Sequence, residues 1–173
     1  MIKFLLKKRK DKPKKKLFCD IDGTINYHYK RIRKWTLPDW PGEKIDPRAF
    51  SRDEILKDEV VPESLASLNE LSKYYSINFL SARDFPDSYG ITKDWLDKNE
   101  FRYNELYIVS KPIEKVKLLL RNNSSLFIDD LQRGHQYKKT DFYWDVIDLL
   151  VLKNINFEIY ANNWSQISAK YAR

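Results

Sequence analysis

Cysteine is almost missing. Cys19 is the only one in 173 residues. An intrachain disulfide and a cysteine-based zinc site are therefore excluded. That scarcity fits a reducing compartment, and the expected location is cytoplasmic. Glycine is scarce too, with four in the chain. Neither GxGxxG nor GxxxxGKS occurs, so no glycine-rich nucleotide loop is available. The two histidines, His28 and His135, read as surface residues. Long apolar runs are absent. The longest, from Val146 to Leu152, is interrupted by Asp148 and falls far short of the ~18–20 residues of a membrane helix. The apolar start, Met1 to Leu6, is too short for a signal-peptide core, and the basic run follows it rather than preceding it. There is no internal repeat.

What is present is a core. Apolar residues make up 42% of the chain, and a chain of this size buries roughly 68–70% of its unfolded surface. One domain is expected. The net charge of +7 is unevenly placed: residues 1–16 carry nine Lys/Arg against the single acid Asp11, while the rest of the chain is −1. Residues 1–16 thus read as a basic flexible tail, a candidate contact for nucleic acid or an anionic membrane surface. The body, 17–173, is nearly neutral.

Along the body, Lys16-Leu17-Phe18-Cys19 reads as a short strand ending at Asp20-Ile21-Asp22-Gly23-Thr24. Residues 25–61 read as irregular, with prolines and many charges. Trp35 and Trp40 there are expected to pack the segment. From Pro62 the pattern becomes regular. Leu65, Leu68 and Leu71 recur at helical spacing. Ser76–Ser81 reads as a buried strand, Asp87–Asn99 as a helix and Leu106–Val109 as a strand. Pro112–Asn122 reads as a helix with Ile113, Val116, Leu119 and Leu120 inward. Ser125–Asp130 reads as a strand ending in acids. A helix around Tyr143–Leu152, a strand Phe157–Tyr160 and a helix from about Trp164 complete the chain. Alternating strands and helices predict an α/β three-layer sandwich around a central parallel sheet. Ligands of such sheets bind at the carboxyl ends of the strands. Three predicted strands end there in polar groups: Asp20/Asp22, Ser81 and Asp129/Asp130.

Carboxylates converging from two strands repel unless a cation neutralises them. Oxygen donors without His or Cys favour Mg²⁺. A carboxylate beside such an ion can attack phosphorus, and a second can move the proton of the leaving oxygen. Ser81 and a nearby lysine can hold phosphoryl oxygens.

Asp20-Ile21-Asp22-Gly23-Thr24 after an apolar strand resembles the first motif of the haloacid-dehalogenase-like phosphohydrolases. Leu80-Ser81-Ala82-Arg83 is similar to their second motif, and Phe127-Ile128-Asp129-Asp130 to the fourth. The resemblance covers about residues 16–135. It implies a Rossmann-like fold with a minimal cap, here a small flap at about 25–61. It implies Asp20 as the nucleophile that becomes aspartyl-phosphate. Asp22 would be the general acid/base and would lend its backbone carbonyl to Mg²⁺. Ser81, with the backbone at Ala82, would hold the phosphoryl group. Asp130 would be the ligand of the pair, with Asp129 in or near its support. The third-motif lysine is Lys111 or Lys115. Lys111 precedes Pro112 as in many relatives, and Lys115 fits the nucleotidase-like branch better. Arg83 is expected in a structural ion pair.

Ser81-Ala82-Arg83 followed by Thr92-x-x-Trp95-Leu96 is similar to the deoxyribonucleotidase and polynucleotide 3′-phosphatase branches, although many relatives carry glycine where Ala82 stands. The implied activity is hydrolysis of a phosphomonoester, on a nucleotide or a nucleic-acid phosphate end. A sugar or other small-metabolite phosphate is the alternative within enzymes. A non-catalytic binding protein on the same fold is the alternative outside them.

Overall fold

The computed structural model describes residues 13–37, 44–133 and 141–173. Most of the basic tail, Trp40 and His135 lie outside the described residues. The strand β1 runs Lys15–Cys19, so Lys15 and Lys16, read above as part of the flexible tail, are sheet residues. Lys15 pairs with Tyr75 and Lys16 with Ser76. Ladder pairing to a distant strand decided this, and composition does not encode it.

The segment read as irregular is built from short elements. They are β2 (Asn26–Tyr27), α1 (Tyr29–Lys34), β3 (Thr36–Leu37), β4 (Lys44–Ile45), a 3-10 turn (Pro47–Phe50), α2 (Arg52–Ile55) and β5 (Glu59–Val60). β2 pairs antiparallel with β5, and β3 with β4. Ile32, Ala49 and Ile55 of the flap are buried, and Ile25 and Val61 at its ends join the core with Leu17 and Leu68. Two-residue strands have no readable period, so the sequence hides them.

The remaining elements alternate. They are α3 (Ser64–Leu71), β6 (Tyr75–Ala82), α4 (Ser88–Lys98), β7 (Glu105–Val109), α5 (Glu114–Arg121), β8 (Leu126–Asp129), α6 (Trp144–Leu152), β9 (Phe157–Ile159) and α7 (Trp164–Tyr171). Five strands form one sheet in the order β7-β6-β1-β8-β9, every pair parallel. Alternate residues of a strand face opposite sides. Leu17 and Cys19 of β1 join one core, with Ile77, Phe79, Trp95 and Trp164. Phe18 joins the other, with Leu80, Val116, Phe127 and Leu150. α3, α4 and α7 cover the first face, and α5 and α6 the second. This is the three-layer α/β sandwich expected from the alternation. One expected core residue differs: Leu120 of α5 is 44% exposed. The inward face of α5 is instead set by Lys115, Val116 and Leu119.

The strand order places the site. From β1 the chain builds outward through β6 and β7, then returns to β8 on the other side of β1. The carboxyl ends of β1 and β8 are therefore the topological switch point, where ligands of open α/β sheets bind. No helix among the described residues is long and apolar enough to cross a membrane.

α7 anchors this point from below. The buried Trp164 indole donates from Nε1 to the carbonyl of Thr24 at 2.9 Å. Trp164→Phe keeps most of the apolar bulk and removes that donor. Leaving a buried carbonyl unpaired costs about 1–3 kcal/mol. Urea unfolding is expected to show that loss, and an unchanged midpoint would rule the anchor out.

Candidate active site

The loop after β1 is shaped by its own backbone. The carbonyl of Ile21 accepts from the N–H groups of Thr24, Ile25 and Asn26 at 3.2, 2.9 and 2.9 Å. Asp20 N–H donates to Ile128 across the sheet at 2.8 Å. Gly23 sits at φ +79°, which glycine adopts without strain. A Cβ there would lie 2.1 Å from Asp130 Oδ2. The loop thus packs against the aspartate pair, and the Thr24 hydroxyl accepts from Asp130 N–H at 3.1 Å. Gly23→Ala meets both obstacles. It is expected to destabilise the fold by more than about 1 kcal/mol in denaturant unfolding, because the loop must move away from Asp130. An unchanged midpoint would show that the loop does not need the close approach.

Asp20, Asp129 and Asp130 each bring a carboxylate oxygen within 4.8 Å of the others, and all three are buried. Lys115, reaching in from α5, is 5% exposed. Its Nζ donates to Asp20 Oδ1 at 2.7 Å and to Asp129 Oδ2 at 2.8 Å. Asp129 Oδ1 accepts from Leu131 N–H at 2.7 Å, so both its oxygens have protein donors. Asp130 is held less tightly. Its Oδ1 accepts from Gln132 N–H at 3.2 Å, and its Oδ2 lies 3.4 Å from the Tyr29 hydroxyl.

Three carboxylates against one lysine leave an uncompensated negative charge in a buried place. Burial pushes Asp20 up from the usual carboxylate range, and Asp129 and Asp22 add to it against Lys115. Burial, then Asp129 and Asp20, push Asp130 well up. Lys115 goes the other way: burial would lower it, but Asp129 and Asp20 hold it well above an ordinary lysine. A hard divalent cation fits this donor set, because it would remove the repulsion that protonation otherwise relieves.

Asp22 is not part of that cluster. Its carboxylate turns to Arg83, whose Nε and Nη2 donate to Oδ2 and Oδ1 at 2.8 and 2.9 Å. The Arg83 Nη1 donates to Thr92 Oγ1 at 2.6 Å, so α4 aims the guanidinium. Arg31 of α1 reaches within 4.0 Å of Asp22 Oδ1. It is itself gripped by Asp58, with Nε 3.0 and 2.9 Å from the two carboxylate oxygens, and by the Ala49 carbonyl at 2.6 Å. Burial alone would raise Asp22. The charges of Arg83, His28 and Arg31 outweigh it, and the carboxyl is held well below its usual range. Asp22 is ionised in this state.

Asp20, Asp22, Ser81, Ala82, Lys115, Asp129 and Asp130 all line one cavity of about 320 Å³. Ser81 Oγ is 3.5 Å from Asp22 Oδ2. Lys111 is left out. It is exposed, and its N–H, with that of Ser110, is taken by Glu114 Oε2 at 3.2 and 3.0 Å. The structure therefore separates the two candidate lysines. His28, read as a surface residue, is 3% exposed and lines the cavity with Arg31. The run Tyr27–Trp35 is basic and aromatic, a composition suited to a phosphorylated substrate. The sequence could not say that α1 turns His28 and Arg31 inward.

No known protein-family description matches the chain, and no curated protein matches it. Solved structures do. A haloacid dehalogenase-like family hydrolase from Streptococcus pneumoniae superposes with a TM-score of 0.56 at 12% identity, over 91% of this chain and 98% of that one. A chain of the Pnkp1/Rnl/Hen1 complex matches with a TM-score of 0.54 at 17% identity, over 87% of this chain. A chain of the Pnkp1/Rnl/Hen1 RNA repair complex matches with a TM-score of 0.54 at 16% identity, over 86%. This chain spans 47% and 42% of the lengths of those two. The class is thus an α/β, Rossmann-like sandwich with an acidic cluster at its switch point. More narrowly, the chain has the haloacid-dehalogenase-like fold.

Proposed function

We propose that the protein is a Mg²⁺-dependent phosphomonoester hydrolase working through an aspartyl-phosphate on Asp20. The observation that carries this is the convergence of Asp20, Asp129, Asp130 and Lys115 at the ends of β1 and β8, with Asp22 beside them on its own arginine. Asp20 and Asp130 would hold the metal with the Asp22 backbone carbonyl, and Asp129 would steady Lys115 and the turn behind them. When bound, the ion supplies charge neutralisation between two anions.

The chain's own groups account for the rest. An Asp20 oxygen forms a bond to phosphorus, and the bond from phosphorus to the leaving oxygen breaks. Asp22 first takes up a proton, from the substrate monoanion or from solvent, as Arg83 turns to the phosphoryl group, and gives it to that oxygen. It then takes one from the water that attacks the phosphoenzyme, releasing inorganic phosphate and Asp20. An incoming phosphomonoester competes for Arg83. Each hydrogen bond it takes there loosens the hold that keeps Asp22 ionised. Ser81, the backbone at Ala82 and Lys115 would hold phosphoryl oxygens.

The substrate class we favour is a nucleotide or a nucleic-acid phosphate end, and the likeness to chains of an RNA repair complex supports that choice. The test is a panel of an aryl phosphate, nucleoside monophosphates, 3′-phosphorylated oligonucleotides and sugar phosphates, with Mg²⁺ or EDTA. Turnover is expected with Mg²⁺ alone, and with preference for the nucleotide members. Better turnover of sugar phosphates would move the reading to a metabolite phosphatase. Silence across the panel would leave a non-catalytic binding protein.

A further inference from the structure

The mechanism leaves part of the cavity unused. Its lining also includes Phe50, Ile55, Phe85, Pro112, Leu131 and Val146. Phe50 ends the 3-10 turn of the flap. Phe85 stands in the loop after β6, two residues beyond the arginine that grips Asp22. Their rings lie 5.5 Å apart between centroids, inclined by 30°. Both residues are half-buried. Two rings from separate segments thus border the same space as the phosphoryl groups.

These six side chains offer a sugar no hydroxyl-binding partner, and the polar remainder of the lining outside the mechanism is Asp84, Ser110, Gln132 and Tyr143. A flat aromatic heterocycle would be matched, since every base has a π-face for a ring to stack on. The size agrees. About 320 Å³ lies at the lower end of the roughly 300–1,000 Å³ of small-molecule sites, so it suits one nucleotide unit and no duplex.

We infer that Phe50 and Phe85 form a platform that stacks the base of a phosphorylated nucleoside, free or at the end of a strand. The inference rests on the phosphatase reading of the same cavity. Because Phe50 belongs to the flap and Phe85 to the body, a stacked base also bridges the two. The pair then sets specificity: it recognises the substrate without taking part in proton or phosphoryl transfer.

Phe50→Leu and Phe85→Leu keep apolar bulk without a ring, and Phe85→Trp keeps the ring. The readout is kcat/KM for uridine 3′-monophosphate, a 3′-phosphorylated pentanucleotide and the base-free ribose 5-phosphate. Each leucine variant is expected to lose about 5- to 100-fold on the two base-bearing substrates, mainly through KM. It should stay within about twofold on ribose 5-phosphate, and Phe85→Trp should stay near wild type throughout. The two base-bearing arms also show whether the free nucleotide or the strand end is the better source of the base. Equal losses on all three substrates, or no loss on any, would overturn the platform and leave the rings as packing between flap and body. If the wild-type protein turns over nothing, calorimetry with uridine 3′-monophosphate against ribose 5-phosphate makes the same comparison by binding. The platform and the phosphatase reading therefore fail separately.

Discussion

Asp20→Asn is expected to reduce kcat/KM on any phosphomonoester substrate by on the order of 10⁴-fold or more. The substitution keeps the shape of the side chain and removes the attacking oxygen's charge. Its structural effect should be small or favourable. Asp20 is 4% exposed and crowded by Asp129 and Asp130, so losing one negative charge relieves repulsion in the metal-free protein. The amide oxygen can still accept from Lys115, which keeps its bond to Asp129. The expected pattern is therefore an inactive protein with an undiminished Tm. An active variant would remove Asp20 from the nucleophile's place.

Lys115→Met is the second large effect, and it falls on stability as well as activity. The ammonium is shared by Asp20 and Asp129 at 2.7 and 2.8 Å, with all three groups buried. Removing one partner of a buried ion pair strands the others and costs about 3–5 kcal/mol. Methionine keeps an apolar stem of similar length, so the loss reports charge more than packing. Adding Asp129→Asn should return part of the stability, with a coupling of about 0.5–3 kcal/mol. Lys111→Met is the control. Lys111 is exposed, and surface changes usually stay within about ±0.5 kcal/mol. Denaturant unfolding of wild type, Lys115→Met, Asp129→Asn, the double variant and Lys111→Met is the check. Equal effects at Lys111 and Lys115 would contradict the role given to Lys115.

The two lysines also show how far the sequence could be read. Both precede or begin α5, and spacing alone kept both open. Burial separates them, and burial depends on how α5 lies against the sheet. The strand-end acids were legible because their chemistry sits at a topological rule. Asp20 follows β1, Asp129 ends β8, and the parallel order puts those ends side by side. The long helices were legible too, since Leu65, Leu68 and Leu71, and again Ile113, Val116 and Leu119, recur at helical spacing. Leu120 shows the limit of that pattern, because α5 gives the expected place to Lys115.

The flap was not legible. Its strands are two residues long, and its order comes from pairings such as Asn26 with Val60. Its charges misled in another way. In the sequence Arg31 is one member of a basic, aromatic run. Asp58, 27 residues away, draws it into the cavity wall beside Asp22. Arg83 was read as structural, and it is an ion-pair partner, but its partner is the candidate acid/base itself. Such roles depend on long-range pairings that no local period carries.

The central claim is covalent chemistry at Asp20, and it can be seen directly. The protein would be mixed with Mg²⁺ and the phosphomonoester it turns over fastest, labelled with ³²P, then quenched in acid within the first turnover and digested. The account predicts acid-stable, base-labile label on the peptide containing Asp20, and none with Asp20→Asn. Rapid turnover without label on any peptide, or label on another residue, would contradict it.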